Sequence, residues 1–160
     1  MRMSEEDWDT VLDTNLKGAF WGCKAAAAGL PSGGVIINIS SLAGKRGSSN
    51  NSVYCASKFG VTGLTQALAK EFGPKGIRVV AVCPVYVETE GVIKALKDKN
   101  SPAKGKDVKA YLQQFTKEQT ALGVLPTGKN IAETCLFLAS PAASAITGQS
   151  LNVDCGVLPS

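Results

Sequence analysis

The 160-residue sequence contains no histidine. That absence excludes Ser-His-Asp and Cys-His activation of a nucleophile and the two-histidine zinc helix. Proton transfer near neutral pH must therefore use another residue type. None of the five cysteines, at positions 23, 55, 83, 135 and 155, forms a Cys-x-x-Cys pair. An odd set scattered among apolar or small residues reads as small hydrophobes in a reducing compartment, which makes a cytoplasmic location the expectation. No Gly-x-Gly-x-x-Gly turn occurs. The longest small-apolar run, Ala25 to Leu30, is too short to span a bilayer, and the acidic N-terminal residues lack the apolar core of a signal peptide. Seventeen Lys and Arg against 13 Asp and Glu leave a net charge of only +4, too mild to argue for nucleic acid. Neither a nucleic acid nor a membrane is an expected partner.

What is present is an alternation of periodicities. Ser4-Glu5-Glu6-Asp7 has the pattern of a capped helix start, and Trp8, Val11, Leu12, Leu16, Ala19, Phe20 and Cys23 follow at helical spacing. This helix ends near Gly29 and Pro31. Val35 to Ile39 is short, apolar and β-branched, which predicts a buried strand. A polar, Gly-rich loop leads to a second helix from about Val53 to Phe72, capped by Asn51 or Ser52. Ile77 to Val82 predicts a second strand that ends at Pro84. The lysine-rich stretch 88–122 predicts helical pieces, Thr127 caps a helix over about 130–139, and Ser150 to Asp154 predicts a last strand. Such alternation means a parallel sheet with covering helices. The fold class expected is α/β, with one domain over 1–160.

Within this frame, Tyr54-Cys-Ala-Ser-Lys58 puts a phenol and an ammonium on one helix face. A nearby cation favours phenolate, so Lys58 is expected to lower the Tyr54 pKa and make it a usable proton donor and acceptor. Taken alone, the pair also reads as two exposed helix residues. Ser41 stands just past the first strand, at the strand end where open α/β sheets bind ligands. It also reads as loop punctuation before Gly44. Asn15 places an amide on the apolar stripe of the first helix, as a functional group or as a satisfied core amide.

Four segments together carry a resemblance: Asn15-Leu-Lys-Gly-Ala-Phe20, Gly34-Val-Ile-Ile-Asn-Ile-Ser-Ser41, Tyr54-x-x-x-Lys58 and Ile146-Thr-Gly-Gln-Ser-Leu-Asn-Val-Asp154. In order and spacing they resemble short-chain dehydrogenases/reductases. The resemblance implies a Rossmann-like three-layer sheet of which this chain is the C-terminal half. It implies NAD(P)(H)-dependent interconversion of a ketone and a secondary alcohol, with a 3-oxoacyl thioester as one possible substrate. Tyr54 would be the general acid/base, Lys58 would hold the nicotinamide ribose, Ser41 would orient the carbonyl, and Asn15 would hold a water leading from Lys58 to solvent. Cofactor contacts would come from Tyr54, Lys58, Pro84, Val87 and Thr89, with NAD or NADP as the cofactor and no metal. The stretch 88–122 would be the substrate lid. A homodimer or homotetramer would form through the helix 53–72 and the segment 150–160. The alternative is a catalytically inactive piece acting only through association with other subunits.

Two departures stand out. The family pattern has Pro-Gly where this chain has Pro84-Val85, and Asp-Gly-Gly where it has Asp154-Cys155-Gly156. The Gly-rich phosphate loop is expected upstream of Met1. Three other signals are weaker. Gly123 to Lys129 nearly matches a phosphate-binding loop, but Asn130 stands where a magnesium-binding hydroxyl is needed. Asn38-Ile-Ser40 matches a glycosylation sequon inside a buried strand. The lysines of 88–122 read chiefly as a solvated surface, and otherwise as a basic lid for an anionic substrate or acyl carrier.

Overall fold

The structure, a computed structural model, describes residues 3–159; Met1, Arg2 and Ser160 lie outside the described residues. Helix α1 (Glu5–Leu12) starts at a capping box in which the Ser4 hydroxyl accepts from the Asp7 N–H. A π-helical turn over Asp13–Lys17 leads directly into α2 (Gly18–Gly29). Sequence periodicity treats this whole stretch as one regular helix. The wider turn falls around Asn15, and such insertions recur at functional positions.

Strand β1 (Val35–Ile39) is followed by a tight 3₁₀ turn over Leu42–Gly44 and by the long helix α3 (Ser52–Phe72). Val53, Ser57, Val61, Thr65 and Leu68 line the buried stripe of α3 at three- and four-residue steps. Strand β2 (Arg78–Pro84) runs through the proline at which the sequence pattern ends it. Short helices α4 (Glu90–Leu96) and α5 (Val108–Gln119) occupy the lysine-rich stretch. Helix α6 (Gly128–Ala139) and strand β3 (Ser150–Val153) complete the fold.

The strands form one parallel sheet in the order β1-β2-β3. Val35 pairs with Arg78 and Ile39 with Val82, while Ala81 pairs with Ser150 and Pro84 with Val153. On one face Cys23, Leu68 and Ala69 from α2 and α3 pack on Ile36, Ile77 and Val79. On the other, Leu138 of α6 and Ala143 pack on Val80 and Val82. The expected three layers are therefore present. With neighbours on both edges and both faces, Val79 to Cys83 are fully buried. Each such valine is worth roughly 1.5–3 kcal/mol of transfer free energy. Because all strands run the same way, Ser41, Val85 and Asp154 emerge at one end of the sheet.

Two close approaches fix that end. A Cβ on Gly44 would lie 2.6 Å from the Lys58 carbonyl oxygen, so only glycine lets the turn after β1 press on α3. A Cβ on Gly60 would lie 2.7 Å from Leu16, so glycine also lets the π-helical turn lie against α3.

The two near-motifs resolve as structure. Thr127 and Asn130 form the capping box of α6. Asn38 is buried, accepting from the Cys23 thiol at 3.2 Å and donating to Thr65 Oγ1 at 3.0 Å. Cys155 adopts φ 55°, where the Asp-Gly-Gly pattern has glycine, at a conformational cost of about 1–2 kcal/mol. Asp154 braces this turn by accepting from the N–H groups of Gly156 and Leu158.

Candidate active site

The site is assembled from three chain segments at the carboxyl end of the sheet. Ser41 caps the turn after β1, its hydroxyl accepting from the Ala43 N–H at 3.1 Å. Tyr54 lies in the first turn of α3, where the Ser41 hydroxyl is near enough to favour its ionised form. Ser41 and Tyr54 line one open cleft of about 550 Å³. Leu42, Val85, Val92, Leu96 and Phe115 supply apolar wall, so a carbonyl there would meet two hydroxyls in a largely apolar setting. A larger hollow of about 800 Å³ on another side of α5 contains none of the sequence-derived site residues.

Lys58 sits one turn along α3 from Tyr54. Its Nζ donates to the Ile39 carbonyl oxygen at 3.0 Å and lies 5.7 Å from the centroid of the Tyr54 ring. The ammonium is thus placed near both the Tyr54 ring and the end of β1. On balance the Tyr54 pKa is not lowered, contrary to the expectation from the neighbouring ammonium. Burial pushes the phenol above its ordinary value, outweighing the opposing effect of the Ser41 hydroxyl. Burial also pulls the Lys58 ammonium below its usual value.

Asn15 reaches the same neighbourhood from the other side of α3. Its Nδ2 donates to Ser57 Oγ at 3.1 Å, and Ser57 Oγ donates to the Tyr54 carbonyl oxygen at 2.7 Å. Ser57 is fully buried, and it is the residue the sequence reading missed. Its signal was available in outline: a hydroxyl on the buried stripe of the helix, one turn from Gly60, needs a polar partner.

The cofactor-side residues are more dispersed. Pro84 ends β2, and Val87 follows on a half-buried loop. Thr89 serves as the N-cap of α4, its hydroxyl accepting from Val92 N–H at 3.3 Å. Val85 lines the cleft without a positive φ, so its β-branched side chain costs no backbone strain where the family pattern has glycine. The lysines of 88–122 are exposed, and none of them lines the cleft.

Comparison with known proteins identifies the family. A family described as enoyl-(acyl carrier protein) reductase matches residues 1–158. The chain belongs to the short-chain dehydrogenase/reductase family. It is 41% identical to a 3-oxoacyl-[acyl-carrier-protein] reductase of Chlamydia muridarum over 98% of its length and 59% of that protein. It is 39% identical to a human (3R)-3-hydroxyacyl-CoA dehydrogenase, covering 98% of this chain and 56% of the relative. Among solved structures, a variant of actinorhodin polyketide ketoreductase with NADPH superposes with a TM-score of 0.86 at 33% identity, covering 98% of this chain and 60% of that one. The chain thus spans less than two thirds of the relatives it matches. Among the described residues no helix is long and apolar enough to cross a membrane.

Proposed function

We propose that the protein carrying this chain is an oxidoreductase that interconverts a ketone and a secondary alcohol with a nicotinamide dinucleotide. The observation that carries the reading is the convergence of Ser41 and Tyr54 on one cleft, with Lys58 one turn behind the phenol. Tyr54 is the proton donor to the carbonyl oxygen and the acceptor in the reverse direction. Ser41 holds the same oxygen, and the apolar wall excludes water from it. Asn15 positions α3 through Ser57 and, in this reading, holds a water that connects Lys58 to solvent.

The donor set fits the nicotinamide end of a dinucleotide. Lys58 supplies hydrogen-bond donors for ribose hydroxyls, and Tyr54 shares that wall. In this reading Pro84, Val87 and Thr89, on the segment that includes the cleft residues Val85 and Tyr86, contact the carboxamide. When bound, the cofactor supplies or accepts the hydride. The raised Tyr54 pKa keeps the phenol protonated at neutral pH, the state needed to reduce a carbonyl.

The names of the relatives support a 3-oxoacyl thioester as a substrate. The test is spectrophotometric: follow oxidation of NADH and of NADPH by the full-length protein with acetoacetyl-CoA. Turnover with one or both cofactors is expected. Absence of turnover with acetoacetyl-CoA and with a panel of simple ketones overturns the reading. The stretch 88–122 acts as the substrate lid in this proposal.

Self-association is part of the same reading. Phe20 and Trp21 of α2 and Phe59 of α3 expose apolar surface, as do Leu136 and Phe137 of α6. We expect a dimer or tetramer by light scattering of the full-length protein; a clean monomer would refute this part alone.

A further inference from the structure

The cleft wall holds one cation, and it does not belong to the lysine-rich stretch. Arg46 follows the 3₁₀ turn that begins at Ser41, and its N–H donates to the Leu42 carbonyl oxygen at 3.1 Å. Gly44 presses this turn against α3 at the Lys58 carbonyl. The backbone that carries Arg46 is therefore locked to the backbone that carries Ser41, Tyr54 and Lys58. The side chain is half-buried, and its charge acts on the Tyr86 phenol, which itself interacts with Tyr54. Arg46, Tyr86 and Tyr54 thus face one space.

Among the described residues, no carboxylate lies within ion-pair distance of Arg46. Asp98 is the single acidic residue of the cleft wall, and its Oδ1 accepts from the Asn100 N–H at 2.7 Å, out on an exposed turn. A guanidinium is a planar fork of donors matched to carboxylate and phosphate oxygens. Half-buried beside apolar wall and lacking a protein counter-ion, it gains most from an anion that a ligand brings.

We propose that Arg46 is a specificity-determining residue that binds an anionic group, such as a carboxylate, carried by the substrate in addition to its reacting carbonyl or hydroxyl. This inference rests on reading the cleft as the substrate site. The substrate class is then an oxo- or hydroxy-acid with an apolar body. Its reacting carbon sits at Ser41 and Tyr54, its apolar part lies along Leu96 and Phe115, and its anionic end meets Arg46. The exposed lysines contribute long-range attraction at most, which salt screens.

The experiment is a calorimetric titration of the full-length protein, without cofactor, with 3-hydroxyoctanoate and with its methyl ester. Wild-type protein should bind the carboxylate at least about tenfold more tightly than the ester, a difference of ~1.4 kcal/mol. Arg46→Ala should reduce that preference to about twofold or less while leaving ester affinity unchanged, and Arg46→Lys should restore part of it, because a point charge keeps attraction but loses the fork. Circular dichroism of each variant confirms that it is folded. Equal wild-type affinities, a preference that survives Arg46→Ala, or no binding of either ligand overturns the proposal. Hydride transfer to acetoacetyl-CoA is read separately, so the oxidoreductase assignment stands or falls independently of Arg46.

Discussion

Replacing Tyr54 by Phe should reduce turnover by about a hundredfold to ten-thousandfold, the range that a positioned acid or base contributes. Cofactor affinity should change little, because the ring, its packing and the Lys58 ammonium remain. The size of the effect follows from composition as well as geometry. With no histidine in the sequence, no imidazole of this chain can take over the proton. Ser41 can hydrogen-bond the carbonyl oxygen but is too weak an acid to replace the phenol. The pH dependence has a definite sign. Burial raises the Tyr54 pKa, so the protonated phenol persists through neutral pH and reduction should be flat there. Reduction should fall, and alcohol oxidation rise, only as pH climbs towards the titration of the phenol. In the variant this alkaline limb should disappear. Steady-state rates in both directions and cofactor titration by fluorescence check the set; near-normal kcat in Tyr54→Phe would remove Tyr54 from the chemistry.

Lys58→Met should damage two steps at once. The ammonium is the cation nearest the strand end on this helix, donating to the Ile39 carbonyl oxygen. Losing it removes the donors for a ribose and leaves that carbonyl without its partner. Cofactor dissociation constants should rise at least about tenfold, equivalent to ~1.4 kcal/mol. Turnover should also fall, and the alkaline limb of alcohol oxidation should move to higher pH, since removing a cation further disfavours phenolate. Lys58→Arg should recover part of the affinity, because the charge is kept while the reach differs. Unchanged cofactor affinity together with an unchanged pH profile would reduce Lys58 to a structural tie between α3 and β1. That tie is present in any case.

Sequence spacing alone puts Tyr54 and Lys58 one turn apart on the same face, and that is where they are. From that proximity a lowered phenol pKa follows only if charge outweighs burial. The side chain of Lys58 is long, and its ammonium donates to a carbonyl at the end of β1. Burial of the phenol settles the balance, and that burial is made by segments distant in the chain.

What the sequence determined by itself is the set of elements and the short-range placements within them. β-branched runs made β1 and the core of β2, helical spacing made α3, and Thr127 with Asn130 set the start of α6. The i, i+4 relation of Tyr54 and Lys58 and the position of Ser41 past a strand end belong here too. These features depend on side-chain periodicity and backbone preference over a few residues, which the chain order states directly. Tertiary structure decided what lies between distant segments. It joined Asn15 to Tyr54 through buried Ser57, across 42 residues. It also put Arg46 in the cleft wall. The physical reason is the same in each case. Which polar group meets which depends on how α3 is pressed against the sheet and its neighbours, at contacts as close as those of Gly44 and Gly60, and no local pattern in the chain encodes that packing.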